Sequence, residues 1–162
     1  MPSEPSQRIS INFVCTGNIC RSPMAEVIVR QALHDAGLGA AVEVASSGIG
    51  GWHVGQPADE RATRELAAHG YDGSRHRARQ FGFEQEAADL IVALAPRHVS
   101  ELVARGVPEG KIRLMRSFDP AAPEGAGIDD PYYGGPEGFS TVRREIEACT
   151  QGIIEWVRAR LD

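Results

Sequence analysis

The 162-residue chain has little cysteine, no excess of basic charge and no long apolar run. Its three cysteines are an odd number with no even framework, which excludes a disulfide-stapled scaffold and points to a reducing compartment where thiols stay free for catalysis or redox chemistry. Seventeen Lys and Arg against 22 Asp and Glu give a formal net charge of -5. That balance argues against nucleic acid as a partner, because such proteins present a strongly basic face. The longest apolar runs are as short as LIVALA at 90–95, far below the roughly 20 residues that span a bilayer. MPSEPSQRIS at 1–10 lacks the apolar core of a secretory signal. A cytoplasmic protein with no membrane partner is the expectation, with leaderless export left open. No internal repeat or low-complexity segment interrupts the chain. Its length fits a single domain over 1–162, with residues 1–7 expected as a flexible N-terminal extension.

RISINFV at 8–14 alternates and then turns wholly apolar, the pattern of a strand buried on both faces of a parallel sheet. After it comes FVCTGNICRSPMAE at 13–26. Ser22 reads as a helix N-cap and Pro23 as the first helical residue, with Met24, Val27, Ile28 and Ala32 on one face until Gly37. VEVASS at 42–47 predicts a second strand, and a glycine-rich link then leads to a helix from near Pro57 to Gly70. DLIVALA at 89–95 predicts a third strand, Pro96 opens a helix that stops near Gly106, and KIRLM at 111–115 is a short fourth strand. This alternation predicts an α/β fold: a doubly wound domain whose four-stranded parallel sheet is flanked by helices on both faces. The stretch 116–137, dense in Pro, Gly and Asp, is long for a mere connection and predicts a working loop. Phe139, Val142, Ile146, Cys149, Ile153, Trp156 and Val157 step by three and four, which predicts one final helix packed on the sheet.

Two of the three cysteines, Cys15 and Cys20, share one short loop at the carboxyl end of the first strand, where open α/β sheets bind ligands. Loop amides and a helix N-terminus form an anion cradle at such a place. Cys15 faces that cradle, and Arg21 adds a planar fork that matches two phosphate oxygens. Both favour an ionised sulfur, the nucleophilic form. The chemistry to expect is a sulfur nucleophile held against phosphate. The spacing of the two cysteines fits neither a thioredoxin-type redox pair nor a zinc knuckle, and no clustered histidines complete a metal shell. The loop ends in Cys-Arg-Ser where a Walker loop has Gly-Lys-Ser/Thr, which argues against NTP hydrolysis.

C-x5-R-S directly after a strand, together with DPYYGG at 130–135, resembles the low-molecular-weight protein tyrosine phosphatase family, over about residues 9–161. The resemblance implies that Cys15 is the nucleophile and Arg21 the phosphate clamp. Thr16, Gly17, Asn18, Ile19 and Cys20 form the loop whose amides bind the phosphate oxygens, and Ser22 hydrogen-bonds the thiolate. Asp130 is the implied general acid. Asn18, Ser46 and His76 match a polar network that shapes the loop, while Trp52 and Tyr132 match the walls of the crevice, with Tyr133 beside them. The implied reaction is hydrolysis of phosphotyrosine in proteins, and of small aryl phosphates, through a cysteinyl-phosphate, releasing inorganic phosphate. Neither metal nor organic cofactor is implied, and the default state is a monomer. A phenolate leaving group needs a proton that a carboxylic acid donates, and the carboxylate left behind then activates water. Aromatic walls stack on a phenyl ring and keep a short phosphoserine from reaching the sulfur.

Plainer readings stand beside several of these. Cys20 is either a packed side chain or a redox partner that forms a protective disulfide with Cys15, and Cys149 lies on the apolar stripe as a core residue. Asp before Pro is a common turn signal; Asp119 also precedes Pro120 and Asp129 is adjacent, so only DPYYGG selects Asp130. His76 lies in RHRAR, by itself a solvated basic segment. His34, His53, His69 and His98 read as surface or helix-end residues. Tyr132 and Tyr133 either pack under the loop or serve as phosphorylation sites. Two rival functions are weighed. A thioredoxin-coupled arsenate reductase needs further relay cysteines, and none lies between Cys20 and Cys149. A catalytically silent phosphotyrosine-binding module is expected to lack the nucleophile or the acid, and here Cys15, Arg21 and Asp130 are all present.

Overall fold

The computed structural model describes residues 8–161, so the extension expected at 1–7 lies outside the described residues. Four strands, β1 (Ile9–Cys15), β2 (Val42–Gly48), β3 (Leu90–Ala93) and β4 (Ile112–Leu114), form one sheet. They pair in parallel in the order β2-β1-β3-β4. Between and after them come α1 (Arg21–Asp35), α2 (Glu60–Ala68), α3 (Phe83–Glu86), α4 (Pro96–Ala104), α5 (Pro136–Glu147) and α6 (Thr150–Leu161).

The two faces of the sheet are read directly from the alternation of its strands. Ile11 and Phe13 of β1 and Leu90 and Val92 of β3 share a core with Met24 and Ile28 of α1, Val142 and Ile146 of α5, and Ile153 and Val157 of α6. Val14, Ile91 and Ala93 sit in a second cluster with Leu102 of α4 and Val107. Helices therefore cover both faces, as the apolar runs of β1 and β3 require. Because β2 lies on one side of β1 and β3 on the other, the order of connection reverses at β1. The crevice that such a reversal opens at the strands' carboxyl ends is where the loop after Cys15 emerges.

Three local expectations are corrected. Helix α1 begins at Arg21, flanked by Cys20, which makes no side-chain capping bond. Ser22 is inside the helix because its hydroxyl is taken by Cys15 and Asn18. Pro23 is tolerated there since a first-turn N–H has no intrahelical acceptor to lose. Helix α2 starts later than Pro57, with Asp59 as its cap accepting the Arg61 N–H at 2.8 Å. The final apolar stripe spans two helices, not one. Thr150 Oγ1 donates to the Glu147 carbonyl at 2.8 Å and Cys149 Sγ to the Glu145 carbonyl at 3.2 Å, local bonds that compete with the regular helical ladder at the break. The stripe still reads continuously because Ile146, Cys149 and Ile153 all reach the same core.

Candidate active site

The chain enters the site along β1, and residues 16–20 turn back from Cys15 into α1. Close approach to β2 is possible only because residue 48 is glycine: a Cβ there would lie 2.9 Å from the Gly17 carbonyl carbon and 3.0 Å from the Asn18 nitrogen. The outside of the loop is tied down by main-chain bonds. The Ile49 and Gly50 amides donate to the Cys15 and Thr16 carbonyls at 2.9 Å each, and the Asp59 amide to the Ile19 carbonyl at 2.8 Å. The main-chain N–H groups of residues 17–20 donate to no acceptor among the described residues. With the uncapped start of α1 beside them, they form a concave set of donors with the electrostatics of an anion site.

At its base Cys15 is buried, with Sγ 2.9 Å from Ser22 Oγ and 3.4 Å from the Ser22 amide, which donates to it. Asn18 orients that hydroxyl. Its Nδ2 donates to Ser22 Oγ at 2.8 Å and to Ser46 Oγ at 3.0 Å, and its Oδ1 accepts the Arg79 amide at 2.9 Å. Ser46 Oγ passes its own hydrogen to Glu26 Oε1 at 2.5 Å. Ser22 Oγ accepts from Asn18, and its one hydrogen has the sulfur at 2.9 Å and the Ser47 carbonyl at 3.4 Å as acceptors; given to the nearer sulfur, it joins the Ser22 amide as a second donor, the arrangement that suits a thiolate. Asn18 holds φ at 61°, a left-handed conformation that Asn adopts more readily than most residues. His76 supports it: Nε2 donates to the Asn18 carbonyl at 2.7 Å, and burial holds the imidazole below its ordinary pKa, hence neutral at neutral pH.

The second cysteine has a different environment. Burial pushes the Cys20 thiol far up, and the neighbouring Asp59 carboxylate adds to the effect, so it remains a protonated thiol while Cys15 receives the donors.

Arg21 is buried, with Nη1 on the Ile128 carbonyl at 2.8 Å and Nη2 at 3.4 Å from Thr16 Oγ1 and 3.8 Å from Asp130 Oδ2. The loop that carries Asp130 is anchored in turn to the residue that follows β3, where the Ile128 amide donates to the Leu94 carbonyl at 2.8 Å. Asp130 is exposed, and its Oδ1 accepts the Tyr132 amide at 3.0 Å.

Of the residues singled out in the sequence, Cys15, Thr16, Gly17, Ile19, Cys20, Arg21, Trp52, Asp130, Tyr132 and Tyr133 line a single crevice of about 350 Å³. Asn18, Ser22 and Ser46 lie buried behind it, with His76 half-buried beside them. Of the competing aspartates, neither Asp119 nor Asp129 lines the crevice. The aromatic walls are more open than a closed slot: Trp52 is 71% exposed, Tyr132 40% and Tyr133 90%. The two tyrosine rings meet edge to face with centroids 5.0 Å apart.

Three participants escaped the sequence reading. His98, expected at the surface, is fully buried, and its Nε2 lies 2.9 Å from Thr16 Oγ1 on the far side of the loop from Asn18. Burial, with the charges of Arg21 and Arg97, pushes its pKa down to about 3. The signal available was its four-residue spacing from Leu102, the other buried residue of α4. Glu26 stands four residues after Ser22 on the same side of α1 and closes the Asn18 network through Ser46. His53 lines the crevice beside Trp52, with its ring packed over Gly17; nothing in its spacing marked it.

Residues 10–161 match the low molecular weight phosphotyrosine protein phosphatase family. Among relatives, the low molecular weight protein-tyrosine phosphatase A of Mycobacterium tuberculosis is 50% identical over 157 residues, 96% of either chain. The low molecular weight protein-tyrosine-phosphatase of Streptomyces coelicolor is 47% identical over 155 residues, 93% of this chain and 94% of its own. Among solved structures, a protein tyrosine phosphatase from Entamoeba histolytica with Hepes in its active site superposes with a TM-score of 0.86 at 31% identity, covering 94% of this chain and 99% of that one.

Proposed function

The chain belongs to the low molecular weight phosphotyrosine protein phosphatase family and is a protein-tyrosine phosphatase, and we propose that it hydrolyses phosphotyrosine in proteins through a cysteinyl-phosphate formed on Cys15. One observation carries this: a buried sulfur with two donors from Ser22, at the foot of a ring of open amides, with Arg21 and Asp130 across the crevice from it.

Loop amides and Arg21 hold the phosphoryl oxygens, and the Cys15 thiolate attacks phosphorus in line with the ester oxygen. The S–P bond forms as the P–O bond to the phenol breaks, and the Asp130 carboxylic acid gives its proton to the departing oxygen. The Asp130 carboxylate then takes a proton from water, whose oxygen attacks phosphorus. The S–P bond breaks, the thiolate is restored and inorganic phosphate leaves. Trp52 and Tyr132 stack on the substrate ring, a contact that phosphoserine cannot offer.

On this reading residues 8–161 act as one catalytic domain, working as a monomer in a reducing cytoplasm where Cys15 stays unoxidised. No helix among the described residues is long and apolar enough to cross a membrane. An arsenate reductase relay is disfavoured because Cys149, the third thiol, is buried beside α5 and α6, its pKa pushed up to about 12 by burial. A silent binding module has no use for a proton donor across the crevice from the sulfur.

The test is turnover of a phosphotyrosine peptide and its phosphoserine counterpart near pH 6 by the wild type and by Cys15→Ser. The wild type should cleave the phosphotyrosine peptide by at least about a hundredfold over the phosphoserine one. Cys15→Ser should lose roughly four orders of magnitude or more while still binding inorganic phosphate. Substantial turnover by Cys15→Ser contradicts the proposal.

A further inference from the structure

Arg61, on the first turn of α2, joins the two loops that the reaction needs. We propose that it is a positioning residue that docks the Asp130 loop against the phosphate loop, setting the proton donor and the Tyr132 wall together. The inference rests on Asp130 being the general acid.

Its guanidinium is held on one side by Asp59, with Nε 3.1 Å from Oδ1 and Nη2 3.0 Å from Oδ2, a two-pronged fit to the carboxylate. Burial would raise the Asp59 carboxyl, but the bonds from Arg61 outweigh it and keep the group ionised. Asp59 in turn is fastened to the phosphate loop by its amide on the Ile19 carbonyl. On the other side, Arg61 Nη1 donates at 3.2 Å to the carbonyl of Gly134, the residue that closes the turn after Asp130 through a 3.2 Å bond from its amide to the Pro131 carbonyl. The same guanidinium lies 5.4 Å from the Tyr132 ring centroid and 4.7 Å from that of Phe139 at the start of α5, within cation–π range of both. One planar cation thus links Asp59, itself bonded to the phosphate loop, with the acid loop and the helix that follows it. Among the described residues, the other side-chain ties of the acid loop to the site are the Arg21 bond to Ile128 and the long Arg21–Asp130 pair.

The signature to look for is the leaving group. Misplacing a proton donor hurts a basic phenolate far more than an acidic one, whereas loss of folded protein lowers every substrate alike. The experiment compares kcat/KM for phenyl phosphate and p-nitrophenyl phosphate in the wild type, Arg61→Met, Arg61→Lys and Asp130→Ala. Arg61→Met should lower the phenyl-to-nitrophenyl ratio by about tenfold, in the same direction as Asp130→Ala and by less. Arg61→Lys, which keeps the charge over the rings and loses the fork, should fall between Arg61→Met and the wild type. Inhibition by inorganic phosphate should stay within about twofold, because the phosphate loop itself is intact. A ratio unchanged in both Arg61 variants while Asp130→Ala shifts it overturns this inference alone. An unchanged ratio in Asp130→Ala overturns both this inference and the assignment of the acid on which it rests.

Discussion

Two loops meet at the crevice, and they are held in opposite ways. Residues 15–22 rest on buried polar side chains: Asn18, Ser22 and Ser46 are nearly or wholly shielded from water, His98 closes the far side, and their hydrogen bonds run to Glu26 and Arg79. Residues 128–134 have Ile128 and Pro131 buried and are held to the site by Arg21 and Arg61 alone among the described side chains, with Asp130, Tyr132 and Tyr133 open to solvent. The division matches what the proposed mechanism asks of each loop. Binding a phosphoryl group in its transition-state geometry is best served by donors that need no reorganisation. A proton donor that must admit a bulky phosphoprotein, follow a leaving group and then turn to water is better served by a loop with few fixed contacts.

The sharpest way to break that comparison is to remove the centre of the rigid loop. Asn18→Ala leaves the hydroxyls of Ser22 and Ser46 and the Arg79 amide without the partner they share, and puts alanine at φ 61°. Three hydrogen bonds worth about 0.5–1.5 kcal/mol each are lost, so a loss of roughly 3 kcal/mol in urea unfolding is expected, with at least about a tenfold fall in kcat/KM. That fall should be equal for phenyl and p-nitrophenyl phosphate, since the donor loop is untouched. A fall confined to the poor leaving group would mean that the two loops are not separable.

A smaller effect tests His98, the far side of the same loop. Its folded-state pKa of about 3 lies below the ordinary histidine value of 6.5, so between those values the unfolded chain binds a proton that the folded chain does not. Stability is therefore full above about pH 6.5 and declines as pH falls toward 3. His98→Gln, which keeps a polar group near Thr16 without a titrating ring, should lose less stability between pH 7 and pH 5 than the wild type, by on the order of 2 kcal/mol in urea titrations. Identical losses would show that His98 is not held neutral by the fold.

Much of the buried loop is legible in the sequence, and little of the exposed one is. The apolar run of β1, the C-x5-R-S spacing and a helix directly after it are local features whose consequences are local. They mark a phosphate cradle without any knowledge of the fold. The partners behind the cradle are not local: Ser46, His76 and His98 arrive from β2, the segment after α2, and α4. Only resemblance named the first two, while His98 passed as a surface residue. Asp130 could not be told from Asp119 or Asp129 by pattern alone, and DPYYGG chose it. Arg61 carried no signal at all, because an arginine on the first turn of an amphipathic helix is ordinary until Gly134 is seen beside it.

The proposed mechanism requires a bond between sulfur and phosphorus. Rapid mixing of Asp130→Ala with a phosphotyrosine peptide, followed by a denaturant quench and peptide mass mapping, tests that bond directly. The account predicts a phosphoryl group on the peptide that contains Cys15, located on that residue, and none in a Cys15→Ser/Asp130→Ala double variant. Turnover of the peptide with no phosphoryl adduct, or with the adduct on Cys20, would contradict it.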